Sequence, residues 1–264
     1  MKEKEVNLVK KIKGMLGKIG CPRFLHHFGP KTYEFKVHLV ALLLKEVLRC
    51  SFRRIVKILS MLGLAVPTYS ALCKMRKRIP LWIWNRLLTL TAGKCSGIIA
   101  IDGTGFSRTN PSFHYLKRID GKTPRVYAKL SALFDVPHRK FTALKIRTKP
   151  RHDVIDTKPL LNKSDNVKEL LGDTAYDSED IHEYCYYRKI QTFIKPRKNV
   201  KRGWARKKQM NSYSEEKYHQ RSLIESGFGS LKRKYGGSVL AKKSKGVKTE
   251  IYCKAIAHNI GLFN

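Results

Sequence analysis

The chain has 264 residues, of which 55 are Lys or Arg and only 20 Asp or Glu, giving a formal charge of +35 at pH 7. With 42% hydrophobic and 10% aromatic residues, it carries enough apolar material for one or two packed domains, which excludes a disordered polycation. An excess of this size repels itself unless a polyanion screens it. Phosphate backbones, bound through release of their counterions, are the expected partner.

The longest aliphatic run, Leu39 to Leu44, falls far short of the ~18 residues of a membrane span. No span is expected. The amino terminus, MKEKEVNLVKKIKG, lacks the apolar stretch of a secretory signal, so the expected location is inside the cell. Six cysteines at 21, 50, 73, 95, 185 and 253 form no Cys-x-x-Cys pair, and are read as reduced, mostly buried thiols.

Residues 1–30 form a basic arm that Gly14, Gly17, Gly20, Pro22 and Pro30 punctuate too often for one long helix. Residues 31–94 have a helical pattern. EFKVHLVALLLKEVLR is mostly apolar with charged ends. SFRRIVKILSML begins on a Ser cap and sets Phe52, Ile55, Ile58, Leu59 and Leu62 along one face. After Gly63 and Pro67, Thr68 is placed to cap TYSALCKMRKR, whose late cations Lys74, Arg76, Lys77 and Arg78 are candidates for phosphate contact. Helix, break and basic helix is the outline of a helix-turn-helix. The same outline also fits two core-packed neighbours whose basic ends complement the helix dipole. PLWIWNRLLTLTA is expected to be core or an interdomain seam.

From residue 95 to 264 the period changes. GIIAI before Asp102 suits a buried strand, AKLSALFDV and FTALKIRT flank the turn VPHRK, and KELLGD ends a further strand at Asp173. Residues 178–188 are expected to be helical, QTFIK a short strand, 213–235 one long helix, and Val247 to Leu262 a last amphipathic segment. This order predicts an α/β or α+β layer domain. Between Lys195 and Lys248 there are 17 Lys or Arg and 3 acids, interleaved with Trp204, Tyr213, Tyr218, Phe228 and Tyr235. That composition also fits a solvated face, but with the global excess of positive charge it is read as a nucleic-acid groove.

In so basic a chain three acids stand out. Asp102 and Asp173 close strand-like runs, where an open sheet places functional side chains, and Glu225 lies amid lysines and arginines. Taken singly, the first two fit a turn and a cap, and Glu225 fits a surface pair with Arg221. Together, three carboxylates could hold two divalent cations ~3.5–4 Å apart, the arrangement used for phosphoryl transfer. On a continuous helix Tyr218, Arg221, Glu225 and Lys232 would fall within a stripe about 60° wide, poor material for a core and well suited to gripping phosphate.

Tyr218-x2-Arg221-x3-Glu225-x6-Lys232 matches the Y-x2-R-x3-E-x6-K signature of DDE transposases of prokaryotic insertion sequences. IIAIDGTGF around Asp102 and GDTAYDS around Asp173 resemble the segments of that family that carry its first two catalytic aspartates. The resemblance implies a ribonuclease-H-like catalytic core over residues 95–264, preceded by a helical DNA-binding domain over 31–94. It implies Asp102, Asp173 and Glu225 as catalytic residues and metal ligands for two Mg²⁺ ions, with Mn²⁺ as a substitute. Tyr218, Arg221, Lys232, Arg76, Lys77 and Arg78 are the implied DNA contacts. The implied partners are double-stranded DNA, as transposon terminal inverted repeats and target, and a second copy in a synaptic homodimer. The implied setting is the cytoplasm, at the nucleoid. RHDV, with His152 and Asp153, also resembles a family segment, and is read here as an ordinary turn. Other readings left open are a catalytically inactive or domesticated DNA-binding derivative, an RNA-binding protein, and a nuclease without strand transfer.

Overall fold

A computed structural model describes residues 8–25, 31–108, 118, 127–149, 151–198 and 202–261, so residues 1–7 and 26–30 of the basic arm lie outside the described residues. In chain order the first elements are α1 (Leu8–Lys18), α2 (Phe35–Val47), α3 (Phe52–Met61), α4 (Tyr69–Arg78), α5 (Leu81–Ala92), β1 (Ile98–Arg108), β2 (Tyr127–Asp135) and β3 (Lys140–Arg147). There follow α6 (Val154–Leu161), β4 (Glu169–Gly172), α7 (Glu179–Tyr187), β5 (Gln191–Ile194), α8 (Trp204–Met210), α9 (Glu215–His219), α10 (Ser222–Tyr235), β6 (Ser238–Val239) and α11 (Ser244–Ile260). Among these helices none is long and apolar enough to cross a membrane. All six cysteines are free thiols.

The chain divides into two compact units. One comprises Met1–Thr91, Lys234–Gly236 and Ala241–Asn264, the other Ala92–Arg233 and Gly237–Leu240. In the helical unit both anticipated caps are present: Ser51 Oγ accepts from the Arg54 amide at 3.2 Å and Thr68 Oγ1 from the Ala71 amide at 3.3 Å. Each satisfies an amide that the first helical turn leaves without a partner. Ile55 and Leu59 of α3 are buried with Ala41, Cys50 and Leu72. Leu62, expected on that face, is instead 69% exposed, because α3 stops at Met61 and Gly63, at φ +71°, turns the chain away. The glycines of the arm do not prevent α1 from forming, and Ile12 and Leu16 anchor it.

α11 clusters with the helical unit. Its Tyr252 ring stacks on Trp84 with centroids 6.3 Å apart; Ile83, Trp84, Leu87 and Leu88 of the Trp-rich segment are core, whereas Leu81, Trp82 and Leu90 are exposed. The helical unit also buries charge in pairs, since an unpaired ion there would be costly. Lys45 Nζ lies 2.7 Å from Glu46, and Arg76 Nη1 lies 2.5 Å from Glu250. The guanidinium of Arg76 is thus turned inward, while Lys77 and Arg78 stay exposed.

The second unit is built on a mixed sheet of order β3-β2-β1-β4-β5, with β6 pairing beside β1. β1, β2 and β3 form an antiparallel meander, and β1, β4 and β5 run parallel. The helix between β4 and β5 makes the crossover that parallel neighbours require. This is a mixed α/β unit compatible with a ribonuclease-H-like core. β1 is longer than its apolar run predicts: pairing with β2 continues to Ser107, so Asp102 stands within the strand rather than at its end. One face of the sheet buries Ile101, Leu133, Leu160, Leu170, Tyr176 and Ile181. At the outer edge the Gln209 side chain bonds to the Thr192 amide at 2.9 Å and the Ile190 carbonyl at 3.0 Å, and so occupies part of a strand edge that would otherwise be free to pair.

α10 packs by aromatic contact. Phe228 stacks on Phe141 at 5.6 Å, and Phe141 meets Phe134 edge-on at 5.0 Å. A Cβ at Gly227 would lie 2.7 Å from Phe134 Cε2, whereas at Gly229 nothing lies within 4 Å. The two glycines therefore respond oppositely to the same change. Gly229→Ala should stabilise by about 0.5–1 kcal/mol through helix propensity. Gly227→Ala should lose about 1–3 kcal/mol to overpacking before that gain is counted. Denaturant midpoints of the two variants, measured side by side, check the contrast.

Candidate active site

The parallel register pairs Ile101 of β1 with Gly172 of β4, and the next residues along the two strands are Asp102 and Asp173. β4 ends there while β1 continues, so the two acids are neighbours at an opening in the sheet. Each carboxylate is tethered by the amide that follows it: Asp102 Oδ1 accepts from the Gly103 amide at 2.7 Å and Asp173 Oδ1 from the Thr174 amide at 2.7 Å. Such local bonds restrict side-chain rotation and aim the remaining oxygen.

Glu225 is delivered from the first turn of α10. The single helix expected over 213–235 is broken: α9 ends at His219 and α10 begins at Ser222. Through the joint the amides of Gln220, Arg221, Leu223 and Ile224 bond to carbonyls three residues back at 3.1 Å. That is tighter winding than an α-helix, so the continuous stripe derived at ~100° per residue does not extend across Arg221. Ser214 Oγ, accepting from the Lys217 amide at 3.4 Å, caps the start of α9.

The joint folds Arg221 back over its neighbours. Its Nη1 lies 3.1 Å from Glu225 Oε1, and its Cζ lies 5.4 Å from the Tyr218 ring centroid. Burial opposes charge on Arg221, but Tyr218 and the carboxylates of Asp173 and Glu225 hold its pKa above the ordinary value. Tyr218 is 7% exposed, a platform under the guanidinium. Lys232 Nζ donates to Thr104 Oγ1 at 2.7 Å, two residues beyond Asp102, and burial lowers its pKa.

Asp102 feels the charges of the other two acids. Burial raises its carboxyl pKa, and the negative charges of Glu225 and Asp173 raise it further. The Gly103 amide and the Arg221 charge work the other way. The donors are all carboxylate oxygens, the hard ligands that divalent cations such as Mg²⁺ prefer. The negative charge of Glu225 and Asp173 felt by Asp102 is one that a cation would relieve, so the donors fit such an ion by their chemistry though not by their present spacing. Among the described residues no three His, Cys, Asp or Glu side chains stand close enough to hold a metal. Glu225 is paired with Arg221 instead.

Other contributors are not apparent in the sequence. Arg197 donates to the Thr174 carbonyl at 3.2 Å and the Ala175 carbonyl at 3.1 Å, which pins the turn that follows Asp173. Asp177 accepts from the Arg197 amide at 2.9 Å and from Arg206 Nε at 2.7 Å, with His182 Nε2 at 3.1 Å. Burial lowers the His182 pKa. Asp153 does lie in the turn before α6, and its carboxylate pairs with Lys129. Its Oδ1 sits 3.0 Å from the position a Cβ would take at Gly103, so this ion pair backs the strand beside Asp102.

A family model described as a transposase DDE domain matches residues 93–260, more than half of the chain. The chain belongs to the transposase DDE-domain family. Members of this family are enzymes that act on DNA and generally use divalent metals. Among curated proteins, none gives a match.

The raised pKa of Asp102 carries a stability consequence. The folded state holds this proton more tightly than the unfolded chain does. Folding is therefore favoured below the ordinary aspartate pKa and progressively opposed as pH rises through the higher folded value. Asp102→Asn should raise the thermal midpoint at neutral pH in metal-free buffer, with the advantage shrinking to nothing as pH falls below the ordinary aspartate range. Calorimetry of both proteins across that range checks the sign.

Proposed function

We propose that the protein is a DNA transposase that cleaves transposon ends and joins the freed 3′-hydroxyl to target DNA, with Asp102, Asp173 and Glu225 as its catalytic carboxylates. The observation that carries this reading is the strand register that sets Asp102 beside Asp173, within the segment matched by the transposase DDE-domain family. These residues would hold two Mg²⁺ ions, or Mn²⁺ in their place, whose chemistry when bound is to polarise a phosphodiester and ease deprotonation of the attacking oxygen.

The protein's own groups position the reaction. Asp102 and Asp173 are fixed by strand register and by their neighbouring amides. Glu225, with a side chain 57% exposed, has room to rotate out of its pair with Arg221. Arg221 is then freed to grip a phosphate, and it keeps its charge because its pKa is raised. Lys232, held beside Thr104, neutralises a second phosphate, and Tyr218 supports Arg221 from below. The hydroxyl released in the first step replaces water in the second, so one phosphodiester is exchanged for another and no external energy source is needed.

The helical unit would recognise the terminal inverted repeats through α3 and α4 as a helix-turn-helix, with Lys77 and Arg78 as its exposed phosphate contacts. Arg76 supports α4 through Glu250. Two ends must be brought together, so the active form would be a homodimer on DNA at the nucleoid.

The second reading, a catalytically inactive or domesticated DNA-binding derivative, would retain binding without cleavage. Glu225→Gln separates the two. The wild type should cut terminal-repeat duplex in Mg²⁺, and the variant should fall to background cleavage with DNA affinity within about twofold, since phosphate contacts dominate affinity. Mg²⁺ or Mn²⁺ should also raise the wild-type melting midpoint and leave that of the variant nearly unchanged, because only a folded site with all three carboxylates binds the ions. A wild type that binds the duplex and never cuts it would favour the inactive derivative.

A further inference from the structure

A second surface of the sheet unit has the chemistry of a nucleic-acid site and plays no part in the carboxylate centre. α7 leaves the carboxyl end of β4 and spends its 9 residues, about 13 Å at ~1.5 Å per residue, returning to the start of β5. Its last turn therefore lies toward the end of the sheet opposite Asp173. There Tyr186, Tyr187 and Trp204 are 39%, 69% and 44% exposed. Their rings meet edge-on, with centroids 5.9 Å apart between the tyrosines and 5.2 Å and 6.1 Å from each to Trp204. Three large rings held against one another in water are costly unless something covers them.

Charge decides what the cover is. A hollow of about 530 Å³ at this place is lined by Tyr186, Tyr187, Lys189, Gln191 and Lys208 among others, and among the described residues no carboxylate lines it. Its volume lies within the range of about 300–1,000 Å³ typical of small-molecule clefts. Lys208 Nζ stands 5.0 Å from the Tyr186 ring centroid and 5.6 Å from that of Trp204, and it donates to the Tyr186 hydroxyl at 3.2 Å. Lys189, which also lines the hollow, is exposed. Protein interfaces are depleted of lysine at their centres. Rings and lysines together are the composition that tracks single strands, with rings stacking on base faces and ammonium groups pairing with phosphates. A duplex hides its base faces, so protruding rings offer it little.

We propose that the hollow formed by Tyr186, Tyr187 and Lys208 at the start of β5 is a binding site for single-stranded nucleic acid, in which an unpaired base stacks on Tyr187 and the flanking phosphates meet Lys189 and Lys208. The site is independent of the cleavage reading, because none of these residues contacts Asp102, Asp173 or Glu225. Lys208 fixes Tyr186 from one side and leaves Tyr187, the most exposed ring, as the stacking platform.

The test uses the full chain, a short mixed-sequence single strand and the same sequence as a duplex, all at one stated salt concentration. Single strand should quench tryptophan emission, and the quench should vanish in Trp204→Phe. Tyr187→Ala should weaken single-strand binding by about tenfold or more, in line with the loss of one stacked base. Tyr187→Phe, which keeps the ring, should stay within about twofold, and duplex affinity and metal-dependent cleavage should not move in either variant. Equal losses for single strand and duplex, or no loss for the single strand, would overturn the proposal. So would a change in self-association on sedimentation with nucleic-acid binding intact, which would make the surface a protein interface.

Discussion

The parallel pairing of β1 with β4 is the constraint on which the candidate site depends. Because Ile101 pairs with Gly172, the next two residues are both aspartates, and like charges are forced together where the shorter strand ends. A slip of one residue would send Asp173 to the other face of the sheet. The register is held from both sides. Ile101 and Ile194 crowd the place where a Gly172 side chain would project, and Arg197 clamps the turn beyond Asp173. Glu225 then arrives from a helix whose seat on Phe134 and Phe141 is fixed by Gly227 and Phe228.

Bringing carboxylates together costs free energy, and the molecule offsets part of that cost with a cation of its own. Arg221 lies against Glu225, contributes favourable charge to Asp102, and is itself held charged by Asp173, Glu225 and Tyr218. A guanidinium suits this task because it stays protonated and can exchange one oxygen partner for another with its planar fork. The same property suits it for phosphate. The break between α9 and α10 serves this exchange, since on a continuous helix Arg221 would be one more cation on a stripe rather than a group folded over Tyr218.

How much of this was legible in the sequence depends on how far each interaction reaches. Caps are local, so Ser51 and Thr68 were readable, as were the apolar runs that became β1 and β4. Asp102 and Asp173 stood out because acids are scarce in this chain and each follows such a run. The break at Gln220–Arg221 escaped because periodicity assumes uniform winding, and a few short-range hydrogen bonds suffice to change it. The inward turn of Arg76 and the grouping of α11 with the helical unit depend on Glu250 and Tyr252, more than 160 residues from their partners in the chain. Arg197 and the Lys129–Asp153 pair act on backbone that only the assembled sheet brings near them. Of the basic and aromatic run after Lys195, Tyr218 and Phe228 turned out to be packing residues and Trp204 an exposed one, a division that composition alone does not make.

The central claim is that Asp102, Asp173 and Glu225 share one electrostatic field. The most direct measurement is the titration of the Asp102 carboxyl carbon by NMR in metal-free buffer, in the wild type and in Glu225→Gln. If the acids converge, the Asp102 pKa lies above the ordinary aspartate value and falls when the Glu225 charge is removed. An Asp102 pKa that is unmoved by the substitution would mean that the third carboxylate stands apart, and would contradict the account.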